Sequence, residues 1–257
     1  ERSVGLGVMG LHSYFQQKNI PFGSVMSKVW NKKIFQNIQE KVDAASSTLA
    51  EERGSCPDAA EYGMKERFSN KTAIAPTASI SIICGGSSPG IEPIAANSYT
   101  HKTLSGSFNV RNKYLKKILQ KYEKDTDEIW STITTNQGSV SHLDFLTANE
   151  KDTFKTAFEI DQRWIVELGA DRTPNISQAQ SVNIFVPADI HKKELHDIHF
   201  QAWKKGLKSL YYCRSKSIQR AENVNNGSSK DVTKNVYSGD QKSNNESNNY
   251  EECLSCQ

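Results

Sequence analysis

The chain has 257 residues and a mass of 28.8 kDa, which is long enough to bury a substantial core. Its formal net charge of +3 is mild, and no apolar run reaches transmembrane length, so we expect neither nucleic acid nor a membrane as partner. Its five cysteines are odd in number and irregularly spaced, which favours a reducing, cytoplasmic setting over a disulfide scaffold.

The first half of the chain predicts one long helix and one buried strand. Residues 24–53 have the spacing of an amphipathic helix, and Gly54 is a typical stop. The apolar stripe of this helix consists of Trp30, Ile34, Ile38, Val42, Ala45 and Leu49. Residues 71–94 are small, β-branched and glycine-rich, and their isoleucines at 80–83 predict a buried strand between two tight loops.

The second half predicts helices that alternate with short strands. Residues 112–123 and 150–169 have helical patterns, and Thr147 with Glu150 forms a capping box. The apolar face of the second of these helices consists of Phe154, Phe158, Ile165 and Leu168.

The order of elements near the end of this part predicts the fold class. Residues 180–186 predict a short strand, and residues 188–205 predict a helix that ends at Gly206. A second short buried strand is expected at 207–213. Helices that alternate with strands indicate an α/β fold with parallel strands.

The composition changes at Asn223. The last 35 residues contain eight asparagines and six serines but almost no large apolar side chains, so we expect residues 223–257 to be disordered. A flexible chain of about 30 residues has a root-mean-square span of roughly 30 Å. Such a tail could carry its last residues between a pocket and the solvent.

Two segments resemble phosphate-binding motifs. Residues 5–10 fit the G-x-G-x-x-G pattern, but no strand precedes them and no acidic residue follows at the required distance. The other interpretation is a glycine-rich start to a closely packed helix. Residues 75–81 combine hydroxyl side chains with a tight loop that could cradle a phosphate, although local chemistry alone favours an ordinary turn.

Two residue pairs have both a structural and a redox interpretation. Tyr211-Tyr212 could be core aromatics on alternate faces of a strand, which local context favours, or stacked phenols that carry a proton-coupled radical. Cys253 and Cys256 could form half of a zinc site, an incidental tail or a thiol–disulfide shuttle. The shuttle is best supported because the pair has no second CxxC or spaced histidine pair to complete a zinc site.

The remaining cysteines and histidines predict no metal site. Cys56, Cys84 and Cys213 are expected to be small buried hydrophobic residues. The histidines at 191, 196 and 199 are expected on one partly exposed helix, with a metal site as the less favoured alternative.

Taken in order, several motifs resemble the C-terminal part of the large (alpha) subunit of class I ribonucleoside-diphosphate reductase. The similarity runs from Arg2 to about Glu222 and resumes at the end of the tail. The segments that carry it are 4–11, 54–57, 75–81, 90–93, 104–106, 180–183, 206–212 and 252–256. Each segment alone is modest, but their order and spacing are specific.

The resemblance implies a fold, a domain division and a reaction. Residues 1–222 would be the second half of a ten-stranded α/β barrel, and residues 223–257 a flexible tail that ends in the redox CxxC. The reaction would be the radical reduction of ribonucleoside diphosphates to 2′-deoxyribonucleoside diphosphates, which supplies DNA precursors.

The resemblance also assigns roles to individual residues. The substrate phosphates would bind at Pro76, Thr77, Ala78, Ser79 and Ile80. Tyr211 and Tyr212 would transfer the radical, while Cys253 and Cys256 would reduce the active-site disulfide again after turnover.

Other parts of the reaction would need partners. The chain itself would bind no cofactor or metal; a metal-containing small subunit would supply the radical, and thioredoxin or glutaredoxin the electrons. No Asn-x-Cys-x-Glu segment, which holds the thiyl-forming cysteine of the family, occurs in the chain. Because the sequence begins with Glu1 inside a segment expected to be ordered, we expect a piece of a longer polypeptide or one half of a split subunit, which needs the N-terminal half.

Two other functions are compatible with the sequence. One is a non-catalytic reductase fragment that binds or regulates the full subunit. The other is a stand-alone thiol oxidoreductase that uses only the tail dithiol, although this dithiol lacks the βαβ context of thioredoxin-like domains.

Overall fold

A computed structural model of the protein describes residues 2–103 and 106–215. Its helices and strands are, in chain order, α1 (Leu11–Gln17), α2 (Val25–Arg53), α3 (Pro57–Glu61), α4 (Ala78–Ile83), β1 (Ser98–Thr103), β2 (Gly106–Arg111), α5 (Lys113–Lys121), α6 (Asp127–Thr135), α7 (Ala148–Thr153), α8 (Gln162–Arg172), a 3-10 turn (Thr173–Asn175), β3 (Ile184–Val186), α9 (Lys192–Lys204) and β4 (Cys213–Ser215). None of the helices in these two stretches is long and apolar enough to cross a membrane.

Four chain segments lie side by side and form what we call the parallel array: residues 4–7, 71–74, 179–186 and 211–215. Leu6 pairs with Thr72 and Ile74 pairs with Gln180, both in parallel orientation. Strands β3 and β4 are also parallel, with Ile184 opposite Cys213. The prediction of an α/β fold with parallel strands is therefore confirmed.

The helices pack around this array and build three hydrophobic clusters. The largest joins α1, α2 and α8 and includes Phe15, Phe35 and Leu168. A second surrounds the buried Trp130 of α6, and a third joins β3 to α9. The first and third clusters cover the array, whereas the second is built mainly from residues between 114 and 154.

Helix α2 confirms the predicted long helix, but its buried face lies about one residue further along than the predicted stripe. The buried residues of α2 are Ser27, Asn31, Phe35, Ser46 and Ala50. Its polar members are buried because they have partners: Asn31 donates to the Leu168 carbonyl at 2.9 Å, and Ser46 donates to Glu66 at 2.6 Å. A pattern of apolar residues alone does not contain this information.

Two other predicted elements are wrong in detail. Residues 78–83 form helix α4 rather than a buried strand, and the side chains of Ile80, Ile82 and Ile83 are exposed. The helix predicted at 150–169 is two helices, α7 and α8, because the backbone N–H of Ala157 donates to the Ile94 carbonyl and not to a helical acceptor. Asp161 then caps the new helix by accepting from the Arg163 N–H.

The last predicted strand, residues 207–213, is also partly wrong. Strand β4 starts only at Cys213, and the residues at 211–213 are exposed, not buried. The helix before it is confirmed as α9, and Gly206 follows it with a φ of 77°. The antiparallel pair β1–β2 was not predicted from the sequence.

Candidate functional site

The glycine-rich segment 5–10 serves packing. A methyl group at Gly7 would lie 2.6 Å from the Ala73 carbonyl oxygen, in the neighbouring segment of the parallel array. Gly10 precedes α1 with a φ of 83°, a conformation that glycine adopts without strain. The close packing is therefore confirmed, but only Gly10 lies at the helix start, because Leu6 pairs with Thr72 in the array.

The predicted phosphate loop lies directly after the second segment of the array. Thr77 has a φ of 53° and is the N-cap of α4, but its hydroxyl makes no cap hydrogen bond. The Thr77 Oγ1 instead accepts from the backbone N–H of Gly90 at 2.8 Å. The Thr77 side chain therefore does not satisfy the first N–H groups of α4, which have no acceptor within the helix.

The two tyrosines lie against each other at the surface, with their rings tilted. Their ring centroids are 4.1 Å apart with an interplanar angle of 54°. Both side chains are accessible, Tyr211 at 45% and Tyr212 at 40%, so the interpretation as core aromatics on opposite faces of a strand is wrong. The Arg214 guanidinium lies 5.5 Å from the Tyr212 ring centroid.

The parallel register brings the loop and the tyrosines to the same end of the array. Ile74 is level with Gln180, and the Tyr211 N–H donates to the Val182 carbonyl at 2.8 Å, two residues further along that segment. Two residues beyond Ile74 the chain reaches Pro76. In the array, segment 179–186 lies between segments 71–74 and 211–215, so these two segments are separated by two strand spacings, about 10 Å.

Two buried polar residues lie at this same level. Asn183 accepts from the Tyr212 N–H through its Oδ1 at 2.9 Å, and only 1% of its surface is exposed. The second residue is Glu92, which is 6% exposed and whose Oε1 has no hydrogen-bond partner among the described residues. Burial raises the pKa of Glu92 to about 7, although Asn183, Arg214 and Arg172 oppose the shift.

Sequence reasoning assigned no role to Glu92 or Asn183. Both occur in segments that carried the resemblance, 90–93 and 180–183, yet a lone glutamate after a Gly-Ile pair has no local signature. The only available signal was an acidic residue in an otherwise apolar segment, Ile91 to Ile94. Polar residues in such a context are buried only with partners.

The cysteines differ from the expectation in two cases. Cys56 is buried as predicted, but Cys84 and Cys213 are exposed, and all three are free thiols. Cys84 follows the short helix α4, and Cys213 follows the exposed tyrosines, so neither enters a core. Cys253 and Cys256 lie outside the described residues.

No metal centre is found in the part of the chain that the structure describes: it has no group of three or more histidine, cysteine or acidic residues that could hold an ion. His191, His196 and His199 are exposed on or next to α9, which agrees with the expected exposed helix.

Comparison with known proteins gives one consistent result. The family model described as ribonucleotide reductase, barrel domain, matches residues 1–66 and 58–213. The ribonucleoside-diphosphate reductase large subunit of Invertebrate iridescent virus 6 is 48% identical over 228 residues, which cover 87% of this chain and 24% of the viral protein. That of Invertebrate iridescent virus 3 is 44% identical over 227 residues, covering 87% of this chain and 36% of the relative.

A solved structure supports the same relation. The class Id ribonucleotide reductase alpha subunit of Actinobacillus ureae superimposes with a TM-score of 0.78 at 40% sequence identity, covering 84% of this chain and 39% of that one. This chain therefore spans between 24% and 39% of the length of these relatives.

The fold and site define an α/β domain with polar and aromatic groups gathered at one end of its parallel strands. Ligand sites of α/β domains usually lie at the carboxyl ends of such strands. The family match covers most of the chain, and the chain belongs to the ribonucleotide reductase barrel-domain family.

Proposed function

We propose that this chain is the C-terminal half of a class I ribonucleotide reductase large subunit and takes part in reducing ribonucleoside diphosphates to 2′-deoxyribonucleoside diphosphates. Residues 1–222 would form the second half of a ten-stranded barrel and residues 223–257 a flexible arm. The main support is that the parallel register brings the loop after Ile74 and the Tyr211–Tyr212 pair to one end of the array.

In this proposal the loop holds the substrate phosphates. The residues are Pro76, Thr77, Ala78, Ser79 and Ile80, as the resemblance implies. The support is that the Thr77 hydroxyl accepts from the Gly90 N–H and does not cap α4. The first N–H groups of the helix would then be available to an anionic ligand. Ser79 is exposed next to them and can add its hydroxyl as a further donor.

The tyrosine pair passes an oxidising equivalent from the small subunit toward the substrate site. Each phenol gives up one electron and one proton together and recovers both from the next group in the chain. Such a transfer requires short distances between the rings, and the centroid separation of 4.1 Å satisfies this. The accessible face of the pair would let it contact a radical donor outside this chain.

The tail dithiol supplies the two electrons of the reduction. Cys253 and Cys256 would attack the active-site disulfide, restore its two thiols and become a disulfide themselves. Thioredoxin or glutaredoxin would then reduce the tail pair. The free thiols at Cys56, Cys84 and Cys213 agree with a reducing, cytoplasmic compartment.

The remaining components would come from elsewhere. The N-terminal half, on the same or a separate chain, would contribute the thiyl-forming cysteine and the reducible pair. A metal-containing small subunit would generate the radical, and this chain would bind no cofactor of its own.

The phosphate role is tested by placing a negative charge in the loop. In the complete large subunit with its small subunit, Ser79→Asp should raise KM for the nucleoside diphosphate by about tenfold or more, because one unit charge near the phosphates costs roughly 1–4 kcal/mol. Ser131→Asp, at an exposed position of α6, is the control and should leave KM unchanged. An unchanged KM in Ser79→Asp would exclude the loop as the phosphate site.

A further inference from the structure

We propose that Ser13 and Ser88 are positioning residues for the phosphate loop, residues 76–80, and that they act through Gly90 and Thr77. This inference rests on the phosphate role of the loop proposed above. Neither serine lies in the loop, and both are buried, with 5% of Ser13 and 1% of Ser88 exposed. Their hydrogen bonds join helix α1 to the chain segment that contacts the loop.

The first step of the argument is the pair of hydrogen bonds between the two serines, which has the pattern of a capping box. In a capping box, the residue before a helix accepts from the N–H of the third helical residue, and the side chain of that third residue accepts in return. Helix α1 is preceded by Gly10, which makes no side-chain cap. Ser88 takes this role from a distance of 75 residues along the chain: its hydroxyl accepts from the Ser13 N–H at 3.1 Å, and its N–H donates to the Ser13 hydroxyl at 2.8 Å.

Backbone hydrogen bonds hold the same two segments together. The Gly10 N–H donates to the Ser88 carbonyl at 2.9 Å. The Leu11 N–H donates to the Gly90 carbonyl at 3.3 Å. Because the first N–H groups of a helix have no acceptor within it, α1 depends on residues 88–90 for its cap. The start of α1 therefore determines where Ser88 and Gly90 lie.

The second step is the contact between Gly90 and the phosphate loop. The Gly90 N–H donates to the Thr77 hydroxyl at 2.8 Å. Thr77 has a φ of 53° and a ψ of 28°, a left-handed conformation that is strained for a β-branched residue. A methyl group at Gly90 would lie 2.9 Å from the Ala75 carbonyl oxygen, so the same residue also packs against the chain directly before the loop. Gly90 thus supports the conformation of Thr77.

These contacts form one path from α1 to the phosphate loop. The path runs from Ser13 to Ser88 and then from Gly90 to Thr77, and each side-chain hydrogen bond along it is 3.1 Å or shorter. Without the serine pair, the segment 88–90 could shift and Thr77 would lose the support for its conformation. A site that is less well preorganised binds its ligand more weakly, so substrate binding should suffer while the chemical step is retained.

The test replaces each serine by alanine in the complete large subunit with its small subunit. Ser88→Ala and Ser13→Ala should each raise KM for the nucleoside diphosphate by about threefold to tenfold, the change that corresponds to one lost helix cap, and leave kcat within about twofold of wild type. Ser24→Ala is the matched control, because Ser24 and Ser27 form a serine capping box at the start of α2. This control should lower the midpoint of urea denaturation but leave KM unchanged.

A double variant tests whether the serines act through Thr77. Thr77→Val keeps the shape of the side chain but removes the acceptor of the Gly90 N–H, so it should raise KM by itself. The position of the segment 88–90 would then no longer reach the loop through a hydrogen bond. Thr77→Val/Ser88→Ala should therefore have the same KM as Thr77→Val alone.

Several outcomes would overturn the inference. These are a wild-type KM in both serine variants or in Thr77→Val, a fall in kcat in place of the rise in KM, an equal rise of KM in Ser24→Ala, or effects on KM that multiply in the double variant. An unchanged KM in Ser79→Asp would refute the phosphate role itself, and the inference would fall with it. A raised KM in Ser79→Asp beside a wild-type KM in both serine variants would leave the phosphate role standing and exclude the serine pair.

Discussion

The buried carboxyl group of Glu92 should make the stability of the protein depend on pH in a direction opposite to that of most acidic residues. Burial raises its pKa from 4.5 to about 7. The folded protein therefore holds this proton about 300-fold more tightly than the unfolded chain, which corresponds to about 3 kcal/mol.

The sign follows from the proton count. Below pH 4.5 both states carry the proton, so Glu92 contributes no pH dependence. Between pH 4.5 and about 7 the unfolded chain has lost the proton while the folded chain keeps it, so stability falls as the pH rises. Glu92→Gln has no proton to lose. The difference in free energy of unfolding between Glu92→Gln and wild type should therefore shift by about 3 kcal/mol in favour of the variant when the pH is raised from 4 to 8.

The assay is urea denaturation at pH 4 and at pH 8, with unfolding monitored by tryptophan fluorescence. Glu150→Gln is the control, and the pH dependence of its stability difference from wild type should have the opposite sign. Burial alone would raise the pKa of Glu150, but hydrogen bonds from Thr147 and Tyr122 lower it overall. Its contribution is fully present well above pH 4.5 and is lost as the pH falls through the lowered pKa of the folded state, so this variant should be more destabilised at pH 8 than at pH 4. A Glu92→Gln difference that is identical at both pH values would refute the reasoning.

Three other predictions concern the relay, the tail and the array. In the assembled enzyme, Tyr211→Phe or Tyr212→Phe should abolish turnover while equilibrium binding of substrate is retained; normal turnover in either would refute the relay. Cys253→Ser or Cys256→Ser should block turnover driven by thioredoxin but spare turnover driven by a small dithiol, and equal loss with both reductants would argue against the shuttle. Gly7→Ala should destabilise the fold by about 1–3 kcal/mol in urea denaturation, because the new methyl group would lie 2.6 Å from a carbonyl oxygen; an unchanged midpoint would contradict this.

Helix ends were the most predictable local features of the fold. Thr147 and Glu150 form the capping box that their spacing indicates. Gly54 and Gly206 both follow their helices with positive φ. These signals are local, since each depends on residues within one helical turn.

Elements whose conformation depends on distant partners were predicted less well. The isoleucines of α4 suggested a strand, since a six-residue helix is too short to show a period and β-branched residues favour strands. The buried face of α2 differs from the predicted apolar stripe because Asn31 donates a hydrogen bond to the Leu168 carbonyl, 137 residues away.

The candidate site depends on such distant pairings even more. The residues of the loop and the tyrosine pair could be identified from their resemblance to a family. Their spatial relation could not, because it is set by the middle segment of the array, which pairs with Ile74 on one side and Cys213 on the other.

The parallel array also has a consequence for how the chain folds. Leu6 pairs with Thr72, and Ile74 pairs with Gln180, so long loops must close before these contacts stabilise anything. The cluster around Trp130 is built from residues between 114 and 154 and needs only local contacts. We therefore expect amides of α5 and α6 to gain protection early in refolding, and those of the array to gain it late. During that interval the unpaired strand segments could pair with other chains, so we expect the refolding yield to fall as the protein concentration rises.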